Sequence, residues 1–136
     1  MGRIKIKIPS DIEDISPLDS QYVAVVVMPK EPFLNWVRNL PDPDHVVTLE
    51  RLRKEPNIYL LPSLSMADSE AAWAWIEEGF DWLFVEQLEG WWRDEKAYPE
   101  NRTYEMLLEW FEIHVSTMVQ DMTPDLVEFM KEKLSE

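Results

Sequence analysis

The chain has no cysteine and only three glycines among its 136 residues. Without cysteine it can form no disulfide scaffold, thiolate zinc site or iron–sulfur cluster, and it has no thiol nucleophile. The shortage of glycine excludes the turns that expose backbone amides around phosphates in P-loops and dinucleotide-binding motifs. We therefore expect no nucleotide cofactor, and no other cofactor has a recognisable motif.

Basic residues are also scarce, because 27 acidic side chains face 13 basic ones and the formal net charge is −14. Nucleic acids and anionic membranes are bound mainly through Lys and Arg, so we expect neither as a partner. The imbalance lies in residues 66–136, with 18 acidic and 5 basic residues, against 9 and 8 in residues 1–65. Such a surface suits solvation or a basic protein partner.

Long apolar runs are missing as well. The longest is Tyr22–Met28, far below the roughly 20 residues that span a bilayer. The segment Met1–Ile8 alternates charged residues with isoleucine and contains no signal-peptide core. With 46% hydrophobic residues the chain can pack a core, so we expect one cytoplasmic domain over residues 1–136.

The first half of the sequence predicts mainly strands. Arg3–Ile8 alternates as a half-buried strand does, and Tyr22–Met28 is apolar on both faces, as in a central strand. Apolar residues at helical spacing between Pro32 and Pro41 predict a helix. Two more strands are predicted, at Val46–Leu52 and Ile58–Leu61.

The second half predicts mainly helices. One long helix is expected over Ala71–Trp92, with Gly79 and Gly90 as the points where it bends or stops. Residues 103–122 fit both a helix and a strand, and the β-branched run favours a short helix at 103–109 before a strand at 110–120. A terminal helix is predicted at 124–134, with four residues facing inward: Leu126, Val127, Met130 and Leu134.

Together these elements predict an α+β domain with an antiparallel sheet and helices mainly on one face. Without the first strand and the last helix, the order is β-α-β-β-α-β, the ferredoxin-like arrangement. The fold expected is thus a ferredoxin-like core with an extra N-terminal strand and a C-terminal helix.

The strand predicted at 110–120 supplies a candidate catalytic or metal site. Glu112, His114 and Ser116 would project from one face, and side chains two apart on a strand lie roughly 7 Å apart. Glu112 and His114 would then share a metal ion or transfer a proton. Arg102 is the candidate for holding an anionic substrate group. The alternative is an ordinary polar strand face, and a helix here would separate the pair.

Tryptophan is unusually frequent, with seven residues. Trp75 and Trp82 lie on the side of the long helix opposite its apolar stripe. They are either covered by another helix or form an exposed patch for a partner, since Trp is enriched at binding hot spots. Trp92 and Arg102 are candidates to line a pocket near residues 93–102, and Trp110 is a further candidate binding residue.

Two neighbouring segments, Tyr98–Tyr104 and Glu109–Ser116, resemble part of a group of small uncharacterised bacterial proteins. The resemblance implies no activity or site. It draws attention to four residues that lie within it: Arg102, Trp110, Glu112 and His114.

The function expected from these patterns is a non-catalytic interaction module with an acidic, Trp-rich surface. Its partner would be another protein or a second copy, bound through Trp75 and Trp82 or through the open face of the sheet. One alternative is a small metal-dependent or acid–base enzyme that uses Glu112 and His114. Another is an acidic inhibitor that imitates nucleic acid.

Overall fold

The computed structural model describes residues 22–41, 47–62 and 69–135, and it shows an α+β fold. The N-terminal strand predicted at Arg3–Ile8 lies outside these residues. A single turn of 3-10 helix at Glu95–Ala97 joins the fourth and fifth helices. The other elements are β1 (Tyr22–Pro29), α1 (Glu31–Arg38), α2 (Leu49–Lys54), β2 (Asn57–Pro62), α3 (Ser69–Glu78), α4 (Phe80–Glu89), α5 (Tyr104–Trp110), β3 (Phe111–Ser116) and α6 (Thr123–Leu134).

The sheet is antiparallel, with β1 between β2 and β3. The register is shown by Val26, which pairs with Ile58 of β2 on one side and with His114 of β3 on the other. The central position of β1 and the edge position of β3 are both as predicted. The ambiguity over residues 110–120 is resolved in favour of a strand, which ends at Ser116.

The core lies on one face of the sheet, beneath the helices. Because side chains alternate along a strand, the odd-numbered valines of β1 point into this core, and they are at most 1% exposed. The helices contribute their apolar stripes to the same layer. The largest fully buried side chains of the helices and β3 are Phe84, Phe111, Ile76, Leu83, Leu88 and Leu107.

The strand predicted at Val46–Leu52 is wrong, since residues 49–54 form the helix α2. Thr48 accepts a hydrogen bond from the backbone N–H of Arg51 and so caps the helix N-terminus. Leu49 and Leu52, three residues apart, pack together against the core. The described residues therefore contain three strands, and the four-stranded ferredoxin-like core is not confirmed.

The long helix predicted at Ala71–Trp92 is two helices, α3 and α4, which meet at Gly79. Gly79 separates the two helices and Gly90 caps the C-terminus of α4. These are the two positions at which the sequence predicted a bend or a stop. No helix in the described part of the chain is both long and apolar enough to cross a membrane.

The terminal helix exists where it was predicted, but its expected inward orientation is wrong. Leu126, Val127, Met130 and Leu134 are between 46% and 83% exposed, and α6 contains no buried residue. The apolar periodicity identifies a helix with one apolar face but does not say what covers that face. In this chain no other described element covers it.

Candidate functional site

The face of the sheet opposite the helices is exposed along β2, whereas along β1 Val26 is half-buried and Ala24 is only 8% exposed. Ile58 and Leu60 of β2 are 57% and 53% exposed, although large aliphatic side chains are ordinarily buried. Both pair with β1, opposite Val26 and Ala24, and β3 completes the face with polar side chains. This surface, which we call the bare sheet face, is thus apolar along β2 and β1 and polar along β3.

Glu112 and His114 lie side by side on the β3 edge of this face, as predicted. His114 Nε2 lies 2.5 Å from Glu112 Oε2 and donates to it, because a carboxylate can only accept. Arg53 Nη2 lies 3.4 Å from Glu112 Oε1, and Arg53 Nη1 donates to the carbonyl of Pro29 at 2.9 Å. Arg53, a residue of α2, is the third member of the cluster, and the sequence did not point to it.

The pKa of Glu112 is lowered from its ordinary value by this cluster. The main cause is the hydrogen bond from His114, followed by the hydrogen bond and the positive charge of Arg53. Glu112 therefore remains a carboxylate under mildly acidic conditions. No group of three or more His, Asp or Glu side chains able to hold a metal ion occurs among the residues described.

Helix α6 carries a second bare apolar surface, adjacent to the first. One arc of the helix, which we call the α6 stripe, consists of five exposed apolar residues: Leu126, Val127, Phe129, Met130 and Leu134. Asp125, Glu128, Lys131 and Glu132 occupy the other side. A cleft of about 410 Å³ joins the two surfaces, because it is lined by Leu60 of the sheet and Leu126 of the helix.

Trp75 and Trp82 do not form the exposed pair expected as one alternative. Trp75 is only 7% exposed, and its ring meets that of Trp82 edge to face, with the ring centroids 6.1 Å apart. Trp82 is half-buried and also packs edge to face on Tyr59 of β2. The expectation of an exposed Trp75 is therefore wrong, because Trp75 lies on the buried face of α3 with Ala72 and Ile76.

Arg102 and Trp92 lie around the 93–102 connection, where both contribute to its internal structure. Arg102 Nε donates to Asp81 Oδ1 at 2.8 Å, and its Nη1 donates to the carbonyl of Pro99 at 3.0 Å. The carbonyl of Trp92 accepts a hydrogen bond of 2.6 Å from Tyr98.

Trp110, the remaining candidate binding residue, ends α5 and is half-buried. Its ring lies 5.3 Å from that of Phe84 and 6.5 Å from that of Phe33. Trp110 therefore packs against the core instead of forming an exposed patch.

A cavity of about 390 Å³ lies at the end of the sheet, between α2, the start of β2 and the end of α4. Arg51, Glu55, Asn57 and Gln87 contribute polar groups to its lining. The sequence contained one overlooked signal for this site. Gln87 interrupts the apolar stripe of α4 next to Leu88, and it is the one buried polar side chain in the described residues.

Comparison of the chain with protein-family models, with curated proteins and with solved structures returns no match. The features of the molecule that bear on its function are therefore the two exposed apolar surfaces, the Glu112–His114 pair and the cavity.

Proposed function

We propose that this protein is an interaction module that pairs with a second copy of itself through the α6 stripe. The observation that carries the proposal is the exposure of all five apolar side chains of this stripe. The neighbouring Met122, Leu60 and Ile58, each more than half exposed, extend the surface toward the sheet. Exposed apolar patches of this extent mark interaction sites, because monomeric proteins rarely leave them in water.

Helix α6 also needs a partner for its own stability. It has 12 residues, and isolated helices of that length are marginal in water. Most helical stability in proteins comes from packing of the apolar face, and no residue of α6 is buried. Covering the stripe supplies that packing.

The charges of α6 favour a second copy as the partner. The N-terminal half carries Asp125 and Glu128, whereas the C-terminal half carries Lys131 and Lys133 against the single acidic Glu132 and is net positive. When two such helices pack antiparallel, each acidic half lies beside the basic half of its partner, and the helix dipoles oppose each other favourably. A two-fold axis produces this arrangement, and two-fold dimers are the commonest oligomers.

A substitution in the middle of the stripe tests the proposal. Met130→Glu places a charge in the apolar interface, so the dimer should weaken more than about tenfold. Met130 is 58% exposed within one chain, so the thermal stability of the monomer should stay nearly unchanged. The matched control is Glu132→Gln on the polar side of the same helix. Sedimentation equilibrium over a range of concentrations measures the dissociation constant of each variant.

Two outcomes would overturn this function. One is a wild-type protein that stays monomeric at every concentration tested. The other is a Met130→Glu variant that dimerises as tightly as the Glu132→Gln control, since the contact would then lie elsewhere.

A second candidate function is acid–base or metal chemistry at Glu112 and His114, and the hydrogen bond that joins their side chains on an exposed strand favours it. With Nε2 bound to Glu112, the Nδ1 nitrogen of His114 is the ring atom left to accept a proton or a metal ion. A thermal-shift titration with Zn²⁺ tests this candidate. Stabilisation that disappears in His114→Ala supports it, whereas an equal shift in both proteins rejects it.

A further inference from the structure

The cavity between α2, β2 and α4 has the size of a small-molecule site. Its volume of about 390 Å³ falls in the range of roughly 300–1,000 Å³ that such sites occupy. It lies on the helix-covered side of the sheet and does not include the α6 stripe, so binding there does not depend on self-association.

Aromatic and aliphatic side chains form the apolar part of the cavity lining. The rings of Phe33 and Phe111 lie there with their centroids 5.0 Å apart, and Val27 and Leu52 add aliphatic surface. Trp91 contributes a third aromatic ring and is 37% exposed. Aromatic walls of this kind favour a planar ring, which they contact by stacking or edge packing.

A chain of hydrogen bonds fixes the polar part of the cavity. Gln87 Nε2 donates to the carbonyl of Leu83 at 3.2 Å and to the Tyr59 hydroxyl at 2.8 Å, so both of its amide hydrogens are used. A carbonyl oxygen can only accept, and this decides which end of the Gln87 amide is nitrogen. Gln87 Oε1 must then accept, and it does so from Asn57 Nδ2 at 2.8 Å.

The orientation of the Asn57 amide is therefore also determined. Asn57 is an exposed residue, and within the described ranges no protein group is bonded to its Oδ1 or to the second hydrogen on Nδ2, so a ligand can reach both. The Asn57 amide therefore offers a ligand one acceptor and one donor. A ligand edge with one donor and one acceptor side by side, such as an edge of adenine, can form both hydrogen bonds.

The charges around the cavity disfavour an anionic ligand. Arg51 and Glu55 both contribute to the lining and carry opposite charges. The chain as a whole has a net charge of −14, which repels phosphorylated compounds. An uncharged ligand avoids this repulsion.

From these three observations we infer that the cavity binds a small uncharged planar heterocycle with an amide-like donor–acceptor edge. Its ring lies against the exposed Trp91 and the edges of Phe33 and Phe111 that line the cavity, and its polar edge hydrogen-bonds the side chain of Asn57. Gln87, at 5% exposure, is a positioning residue because it holds Asn57 in the orientation that reads this edge.

Adenine is a suitable probe, with toluene as the apolar comparison and adenosine monophosphate as the phosphorylated one. Saturation-transfer NMR detects contact with the protein, and a chemical-shift titration gives the dissociation constant. We expect adenine to bind at least tenfold more tightly than adenosine monophosphate. We expect Asn57→Ala to weaken adenine binding about tenfold or more, because two hydrogen bonds are lost. Asn35→Ala, an exposed site on α1, is the matched control.

A second variant keeps the test decisive if Asn57→Ala disturbs the fold. Gly90 lines the cavity in ordinary helical geometry, and a Cβ atom there meets its nearest neighbour, the carbonyl oxygen of Gln87, at 3.5 Å. Gly90→Phe should therefore keep the fold and occlude the cavity, which abolishes adenine binding. The inference is overturned if adenine does not bind, if the monophosphate binds as tightly, or if the two cavity variants bind adenine like the Asn35→Ala control.

Discussion

The guanidinium of Arg102 contacts both carboxylate oxygens of Asp81, with Nε–Oδ1 and Nη2–Oδ2 distances of 2.8 and 3.4 Å. Asp81 lies in the first turn of α4, and Arg102 lies just before α5. The pair therefore joins two segments 21 residues apart and fixes the start of the helix that leads into β3. Its third contact, from Nη1 to the Pro99 carbonyl, closes the same loop.

Replacing Arg102 with Gln should lower the free energy of unfolding by about 1–2 kcal/mol. The reason is that charge-assisted hydrogen bonds are lost at a site where the Arg102 and Asp81 side chains are only 17% and 32% exposed. Urea unfolding measures the change. The control is Arg93→Gln at an exposed position, where a change within about 0.5 kcal/mol is expected. Equal losses in the two variants would show that the contacts of Arg102 with Asp81 and Pro99 contribute little to folding.

The titration of Glu112 should depend on His114. Because the hydrogen bond from His114 is the main cause of the lowered pKa, His114→Ala should move this pKa upward, toward the ordinary value of 4.5. Carbon-detected NMR of the side-chain carboxyl follows the change. Asp121 is an internal control, since its pKa is lowered by the hydrogen bonds it accepts from Thr123 and should not move.

The direction of the pH effect on stability follows from the same contacts. A carboxyl whose pKa is lower in the folded than in the unfolded state stabilises the fold above its unfolded pKa. This contribution is lost as the pH falls through the folded value. When the pH falls below 4.5, the free energy of unfolding should therefore decrease less in His114→Ala than in the wild-type protein. An unchanged Glu112 titration in the variant would contradict the assigned hydrogen bond.

The sequence was informative wherever one local pattern decides a structure. The doubly apolar run of β1 identified the central strand, and the β-branched residues of β3 outweighed its competing helical period. The alternation on β3 also placed Glu112 and His114 together, because alternate residues on a strand share a face. These predictions needed no knowledge of what packs against each strand.

The sequence failed where two patterns overlap or where tertiary contacts decide. Val47 and Leu49 are two residues apart, as on one face of a strand, whereas Leu49 and Leu52 are three apart, as on one face of a helix, and the Thr48 cap favours the helix. The cavity residues Asn57 and Gln87 are 30 positions apart, so no local pattern joins them. Likewise, the apolar stripe of α6 predicts burial, whereas no residue of α6 is buried in the described chain, because the stripe does not say what covers it.

Trp75 should tolerate replacement by Phe better than Trp36 does. The buried Nε1–H of Trp75 has no hydrogen-bond acceptor among the described residues, so removing it relieves an unsatisfied donor. Trp36 Nε1 instead donates to the carbonyl of Ala97 at 2.8 Å, and that bond is lost in Trp36→Phe. We expect Trp36→Phe to cost about 1 kcal/mol more in unfolding free energy. Equal or reversed costs in urea would show that the Trp75 N–H is satisfied in solution.

The charges at the two ends of α6 should determine the geometry of the dimer. If two α6 helices pack antiparallel, Asp125 of one chain lies within about one turn of Lys133 of its partner. Asp125→Lys alone then sets like charges beside each other and should weaken the dimer about two- to fivefold, as expected for an exposed pair. Combining it with Lys133→Asp exchanges the charges and should restore the wild-type affinity.

This double-mutant cycle distinguishes antiparallel from parallel packing, because parallel helices place Asp125 beside Asp125 and Lys133 beside Lys133. In a parallel dimer the double variant again places like charges beside each other. Adding Lys133→Asp to Asp125→Lys would then not restore the affinity of the dimer. Sedimentation equilibrium at low salt gives the four dissociation constants, since screening reduces the coupling at high salt. Additive effects of the two substitutions would exclude the antiparallel arrangement, and recovery in the double variant would establish that the two ends meet.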